Sequence, residues 1–313
     1  MKVLLTGGSG FLGRSLRNML KDFELVLIGR NAPILKQNEI FHCANINGTE
    51  GYADILNGVD VLVHAAARVH VMKESASKAE EEYNKVNTLG TINIARQALA
   101  HGVKKFIFIS SIKVNGEETN GIPFYSGDLR NPQDEYGKSK AKAEELLIEL
   151  CENSEMEIII IRPPLVYGPG VQANFGALMR IVSKAIPMPF GAIADNRRSM
   201  IYVENLAHFI VKVMTHSEDA GGIYLISDDN DLSTKTLISF IAKGFNKRVL
   251  NVPIPGFILY LLGKITGKEA IISRLIGSLQ VDIVATKKKF GWEPPFSSEY
   301  GISKTAEPLI KEE

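Results

Sequence analysis

The chain has 313 residues, a formal net charge of +1, 45% apolar residues and 23% charged residues. Such a chain can bury a main core and a smaller second one, and its near-zero charge offers no basic excess for a nucleic-acid partner. Cys43 and Cys151 form no zinc, redox or disulfide pattern, which suits a reducing cytoplasm, and no metal centre is expected; the most apolar late run, Phe257 to Leu262, is too short to span a bilayer and reads as a buried helix end, with a membrane-surface contact the alternative.

Val3, Leu4 and Leu5 form an apolar run of strand length that Thr6 ends. Gly7, Gly10 and Gly13 follow at three-residue spacing, and Phe11, Leu12 and Leu16 begin a helical pattern. Strand, tight turn and helix in this order predict a dinucleotide-binding unit. Gly7 permits the turn, Gly10 lets a pyrophosphate approach the backbone, and Gly13 lets helix and strand pack closely. The helix start offers unpaired N–H groups and a partial positive charge to the phosphates. Lys2 to Leu5 passes straight into this unit, so no signal peptide is expected.

Glu24 to Ile28 reads as the second strand, followed by Gly29-Arg30. An acid near the end of this strand would grip the ribose hydroxyls of NAD, but none lies between Leu25 and Asn38. Arg30 is instead placed to meet a 2′-phosphate, so NADP is expected, with NAD the alternative. Glu39 to Ala44 is a third strand, and Val59 to Ala67 a buried fourth. Ala65, Ala66 and Ala67 at its end have the small bulk that suits a backbone lying against a cofactor. His64 reads as a packed strand residue and not as a catalytic base.

Ala79 to His101 is a long helical stretch in which Asn87 and Thr91 interrupt an apolar face made by Val86, Leu89, Ile94 and Leu99. Lys105 to Ser110 is the fifth strand, Gly116 to Asp134 a loop, Tyr136 to Glu152 a helix and Glu157 to Ile161 the sixth strand. Six strands alternating with helices predict an α/β fold, a doubly wound parallel sheet of the Rossmann type with a smaller C-terminal substrate-binding lobe. Beyond Arg162-Pro163-Pro164 this rhythm is lost. The expected division is 1–166 for the dinucleotide-binding domain, with 199–226 returning to it, and 167–198 with 227–313 for the second lobe. Met200 to Val203 and the helix from Asn205 are expected to rejoin the main sheet. Gly222 to Ser227 straddles the boundary, grouped with the helix Thr234 to Phe245 of the second lobe.

Tyr136 and Lys140 stand four residues apart, on one helix face. A lysine beside a tyrosine favours the phenolate and lowers a pKa that starts near about 10, which readies the phenol to exchange a proton with a hydroxyl or carbonyl. The pair follows a strand ending in Ser110-Ser111 and an N-terminal nucleotide turn with Gly-x-x-Gly-x-x-Gly spacing. Together these resemble the short-chain dehydrogenase/reductase superfamily. The resemblance implies that Ser111 hydrogen-bonds the reacting oxygen, that Ser110 lies nearer the nicotinamide, and that Asn87 is the helical asparagine of the catalytic set with Ser111, Tyr136 and Lys140. It implies cofactor contacts from Gly7, Ser9, Gly10, Phe11, Leu12, Gly13, Arg30, Asn45, Ile46, Ala65, Ala66, Ala67, Ser110, Tyr136, Lys140 and Pro163, with Asn45 standing where relatives often carry an Asp that contacts adenine.

The length, the run Arg162-Pro-Pro-Leu-Val-Tyr-Gly-Pro169 and the run Arg198-Ser-Met-Ile-Tyr-Val-Glu-Asn-Leu-Ala207 are similar to the extended, nucleotide-sugar branch, the NAD-dependent epimerase/dehydratase family. That likeness implies substrate contacts from Asn174, from Arg198 on the pyrophosphate and from Arg274 as a second phosphate contact. It also implies a homodimer through the long helices, a cytoplasmic location and a role in polysaccharide biosynthesis. The expected function is NADP-dependent reduction of the C4 keto group of a UDP-4-keto-6-deoxy-hexose or its N-acetylamine. The alternative is a UDP-hexose 4-epimerase for UDP-glucose or UDP-N-acetylglucosamine, which the absent strand-two acid disfavours. A non-catalytic NADP-binding sensor is more distant, because such proteins typically lose the tyrosine or the lysine. Lys113 and Asn115 depart from the small residue and tyrosine common near the family's serine.

Overall fold

The computed structural model describes residues 1–69 and 76–310. Its first half runs β1 (Lys2–Thr6), α1 (Phe11–Met19), β2 (Glu24–Gly29), β3 (Glu39–Cys43), α2 (Ala53–Leu56) and β4 (Val61–His64). A long helical stretch follows as α3 (Ala76–Tyr83), a π-helical segment (Asn84–Gly90) and α4 (Thr91–Ala100). Then come β5 (Lys105–Ile109), a 3₁₀ turn (Ile112–Val114), α5 (Glu135–Cys151) and β6 (Glu157–Arg162). The second half comprises β7 (Leu165–Tyr167), α6 (Ala173–Ser183), β8 (Met200–Tyr202), α7 (Val203–Met214), β9 (Gly222–Leu225), α8 (Thr234–Gly244), α9 (Gly256–Ile265), α10 (Glu269–Ile276), α11 (Val284–Phe290) and α12 (Ser298–Ile310). Among the described residues no helix is long and apolar enough to cross a membrane.

The strands β1, β2, β4, β5 and β6 are near-continuous apolar runs because the sheet is covered on both faces. They lie in a seven-stranded, wholly parallel sheet of order β3-β2-β1-β4-β5-β6-β9. Side chains alternate between its faces. Leu4, Val26, Leu62, Phe106 and Ile160 join Ile94, Ala98 and Leu147 of α4 and α5 in one core. Val3, Leu5, Leu27, Ile107 and Ile159 join Leu16, Leu206 and Phe209 of α1 and α7 in the other. Each fully buried side chain of this kind stabilises the fold by about 1.5–3 kcal/mol before entropy is counted. A further cluster, built from Phe175, Met179, Ile238, Ile241 and Ile302 on α6, α8 and α12, sits apart from these two.

The doubly wound sheet agrees with the sequence reading, with one exchange at its edge. Met200–Tyr202 does not rejoin the main sheet; it pairs in parallel with Leu165–Tyr167 as a separate two-stranded ladder. The Gly222 run, grouped above with the second lobe, instead forms the seventh strand beside β6. Pro163 and Pro164 follow the end of β6, since neither can donate to a ladder, and β9 pairs along Ile159 to Arg162 of β6. The helix expected over 79–101 is continuous in path but widened at its middle. Asn87 is buried there, its Oδ1 accepting from Arg68 N at 2.8 Å and its Nδ2 donating to Arg68 O at 3.1 Å, while Thr91 Oγ1 donates to Asn87 O at 2.7 Å. The two polar residues that break the apolar face are those that hold the widened turn.

His64 is fully buried at the end of β4, with Nδ1 2.9 Å from Thr6 Oγ1 and Nε2 3.0 Å from Thr91 Oγ1. Burial, aided by the Lys140 charge, pulls its pKa down to about 3 from 6.5. The imidazole is therefore neutral and structural, as the sequence reading has it. Between those two values the unfolded chain binds a proton that the native state does not, so stability falls as pH drops through this window, by up to about 1.4 kcal/mol per pH unit. His64→Gln, neutral at every pH, is expected to flatten that acid limb in urea unfolding measured from neutral pH downward. An unchanged limb would mean that the shift lies elsewhere.

Candidate active site

The strand order reverses direction about β1, and the carboxyl ends of β1, β2, β4 and β5 open onto one edge, where open parallel sheets take ligands. At the end of β1, Gly7 has φ +74°, and a Cβ there would lie 2.8 Å from Ala66 N. On α1, a Cβ on Gly13 would lie 2.1 Å from the Gly7 carbonyl oxygen. These two glycines answer steric needs of the protein itself. Gly10 answers none so strict: a Cβ there would meet, among the described residues, only Gly7 O at 3.1 Å. Gly10 begins α1 as its N-cap without any side-chain cap, so the first amides of the helix have no side-chain acceptor from the cap. That donor set fits a dinucleotide pyrophosphate. Ser9 is exposed beside it, its carbonyl accepting from Arg14 Nη1 at 3.0 Å, while Phe11 and Leu12 are partly buried and pack on the cluster of α6, α8 and α12.

Arg30 is exposed after β2, and no ion pair or side-chain hydrogen bond holds its guanidinium among the described residues. Asn45 is exposed after β3, its carbonyl accepting from the Tyr52 hydroxyl at 2.6 Å, and Ile46 is half-buried. Ala65, Ala66 and Ala67 are half-buried after β4. Pro163 is buried after β6, and its carbonyl accepts from Ile112 N at 3.0 Å, fixing the loop that carries Ser111.

Asp134 caps α5, its Oδ1 accepting from Gly137 N at 2.7 Å, and this sets Tyr136 in the first helical turn. The Tyr136 ring stands edge-on to Tyr83, 6.1 Å between centroids. One turn on, Lys140 is 1% exposed, its Nζ donating to Ile109 O at 2.8 Å and lying 4.4 Å from the centre of the Phe108 ring. Burial pulls the Lys140 ammonium down to about 7, with the Glu144 charge opposing. The Tyr136 phenol is pushed above its ordinary range by burial, then by the charges of Asp134 and Tyr83. This corrects the expectation that the lysine lowers the tyrosine in the protein alone. The ammonium is turned to the β5 carbonyl, and an acid stands two residues before the phenol. Ser111 is half-buried at the start of the 3₁₀ turn, its Oγ accepting from Lys113 N at 3.3 Å.

Ser110 is buried and its hydroxyl donates to Glu144 Oε1 at 2.6 Å. Asn87 joins the Arg68 backbone to Ser139, donating to Ser139 Oγ at 3.0 Å, which ties the widened turn to the residue before Lys140. The sequence reading missed the acceptor that organises this region. Glu144 has a fully buried side chain and takes a fork from Arg162, Nε at 2.9 Å and Nη2 at 2.5 Å, with Arg130 Nε at 3.3 Å. Arg162 Nη1 also donates to Asn115 Oδ1 at 2.9 Å, which gives Asn115 its own reason to replace an aromatic residue. Its place one turn after Lys140 carries no sign of burial, which only the pairing with Arg162 reveals.

A second group of charges faces the loop after β5. Arg198 is largely buried, Nη1 3.3 Å from Gly277 O, and its pKa is lowered by burial and then by the neighbouring Arg274. Arg274 lies 3.4 Å from Glu117, and Glu117 in turn accepts from Lys113 Nζ at 2.8 Å. Lys113 also pairs with Asp134. An ion-pair chain thus runs from Arg274 through Glu117 and Lys113 to the helix cap beside Tyr136, and Arg198 lies near enough to feel the charges of both Arg274 and Glu117. Such a pair of arginines is suited to an anion with two phosphates. Asn174 is exposed in the first turn of α6, directly after Ala173, whose φ is +52°.

The sequence profile of the NAD dependent epimerase/dehydratase family matches residues 3–227. UDP-glucose 4-epimerase of Vibrio cholerae is 43% identical over 313 residues, 99% of this chain and 95% of the relative. The N-acetyl-α-D-glucosaminyl-diphospho-ditrans,octacis-undecaprenol 4-epimerase of Escherichia coli O157:H7 is 29% identical over 97% of this chain and 93% of its own length. Among solved structures, UDP-glucuronic acid 4-epimerase from Bacillus cereus in complex with NAD superposes with a TM-score of 0.79 at 21% identity, covering 100% of this chain and 97% of that one. The glycine turn, the parallel sheet and the full-length likeness agree: the chain belongs to the NAD-dependent epimerase/dehydratase family.

Proposed function

We propose that this protein is a 4-epimerase of UDP-linked hexoses, with UDP-glucose and its N-acetylated counterpart as the first substrates to try. The observation that carries this reading is the 43% identity, over nearly all of both chains, with a UDP-glucose 4-epimerase. The reading reverses the order expected from sequence, where a 4-ketoreductase came first. When bound, the nicotinamide supplies a reversible acceptor and donor of hydride at the sugar C4. The amides at the start of α1 hold the pyrophosphate, and Ala65 to Ala67 border the cofactor at the end of β4. Tyr136 takes the C4 hydroxyl proton as the alcohol becomes a ketone and returns it once the sugar has turned over. Ser111 donates to the C4 oxygen, and the Lys140 ammonium favours the phenolate form when the proton leaves. Arg198 and Arg274 keep the diphosphate in place during the turn. The resemblance that brought these residues together also supports a homodimer through α4 and α5.

Arg198→Ala is expected to weaken UDP binding by roughly ten- to a hundredfold, the worth of one charge-assisted hydrogen bond, while nicotinamide dinucleotide binding is unchanged. Calorimetry with UDP would check this, and equal affinities would make Arg198 structural.

One observation favours a second reading, an NADP-dependent 4-ketoreductase. Arg30 stands exposed at the end of β2, with no acid beside it in the turn. If it meets a 2′-phosphate, Arg30→Ala lowers NADPH affinity by about tenfold, less at high salt, and spares NADH. Dissociation constants for both cofactors, by nicotinamide fluorescence, decide the matter. Equal wild-type affinities remove the ketoreductase reading, whereas a large NADPH preference lost in the variant moves it ahead of the epimerase. The proposed epimerase is further tested by denaturing purified protein: release of about one equivalent of NAD supports a retained, recycled cofactor.

A further inference from the structure

Helix α9, Gly-Phe-Ile-Leu-Tyr-Leu-Leu-Gly-Lys-Ile, is apolar almost all round, and such a helix is normally enclosed. Here its buried stripe is only Leu259 and Gly263, four residues apart, with Gly263 packed on Ile272 of α10. Phe257, Leu261 and Ile265, also at four-residue spacing, lie about 200° around the axis from that stripe. They are 74%, 56% and 73% exposed. A surface helix would keep polar side chains on that face; this one presents aromatic and branched apolar groups to water. The buried helix end expected from sequence is therefore corrected.

The charge around this face says what covers it. From Lys247 to Arg274 the chain carries five basic residues and one acid, Glu269; Lys247 donates to Ser183 O and Arg274 pairs with Glu117, while Arg248, Lys264 and Lys268 are exposed. Glu269 is engaged by the Tyr260 hydroxyl at 2.6 Å. Lys264 and Lys268 are exposed at the carboxyl end of α9. A second copy packed by two-fold symmetry would set this cationic patch against itself. With 10 residues, α9 is too short to span a bilayer. We infer that α9 docks on an anionic lipid surface, with Phe257, Leu261 and Ile265 among the acyl chains and Lys264 and Lys268 at the headgroup phosphates. An apolar helix face flanked by lysines is the composition of interfacial helices. Because α9 packs on α10, which carries Arg274, the docked surface adjoins the arginine pair of the candidate site.

Flotation of the full-length protein with vesicles tests this. Wild type is expected to float with phosphatidylcholine vesicles containing phosphatidylglycerol and to remain behind with phosphatidylcholine alone. Phe257→Ser/Leu261→Ser/Ile265→Ser should lower the bound fraction by about tenfold or more. Lys264→Gln/Lys268→Gln should lower it by about tenfold, and added salt should release the wild type. All three proteins should share one thermal transition, since the altered side chains are exposed. Wild type that ignores anionic vesicles, binds neutral ones equally or binds no better than the serine variant would overturn the proposal. So would sedimentation showing that wild type self-associates and that the serine variant is dispersed, which would assign the face to a second copy.

Discussion

Tyr136→Phe is expected to lower turnover by about 10²–10⁴-fold while cofactor and UDP affinities stay within a few-fold of wild type. The phenol sits at the start of α5, fixed by the Asp134 cap, and its ring rests against Tyr83. Removing one oxygen leaves that packing in place and takes away the only atom of the residue able to carry a proton. Burial and the Asp134 charge hold the phenol above its ordinary pKa in the protein alone, so the neutral form dominates near neutrality. Lys140, drawn down to about 7, is the group whose protonation changes there. The rate should therefore depend on pH near neutrality through Lys140, and Lys140→Met should abolish that dependence as well as most of the activity. Steady-state rates against pH would check both. Tyr136→Phe activity within a few-fold of wild type would remove the phenol from the mechanism.

Arg162→Met is expected to destabilise the fold by about 3–5 kcal/mol, because it leaves a buried carboxylate without its main partner. Glu144 and Arg162 are 0% and 1% exposed as side chains, and their fork joins α5 to β6. Ser110 ties the same carboxylate to the end of β5. Breaking one member strands several polar groups at once. The double variant Arg162→Met/Glu144→Leu should recover part of the loss, since it removes the stranded charge. Urea unfolding of both variants would check this; a single variant within about 1 kcal/mol of wild type would mean that water or Arg130 replaces the fork.

Much of this architecture is legible in the chain. Strands such as Lys105–Ile109 and Glu157–Arg162 announce themselves as apolar runs because both of their faces are buried, and the glycine turn follows from steric needs that no other residue meets. Local pattern says less about edges. Met200–Tyr202 and Gly222–Leu225 are short strands of similar composition, and their pairing, one with Leu165–Tyr167 and the other with β6, rests on long-range contacts that local pattern does not carry. Tyr136 and Lys140 were readable from their spacing and position. Glu144 was not, because a glutamate on an amphipathic helix reads as a solvated face until Arg162, eighteen residues away, is seen to bury with it. Arg274 gained weight for the same reason: its nearness to Arg198 joins two distant segments.

The most direct test of the epimerase reading is to give the purified protein UDP-galactose, and separately UDP-N-acetylgalactosamine, deuterated at C4, with no added cofactor, and to follow the products by NMR. The account predicts many turnovers of at least one substrate to the corresponding gluco sugar, with the label retained at C4 because the hydride taken from one face returns to the other. No gluco product from either sugar, together with stoichiometric oxidation of NADPH when a UDP-4-keto sugar is supplied, would contradict it and establish a ketoreductase in its place.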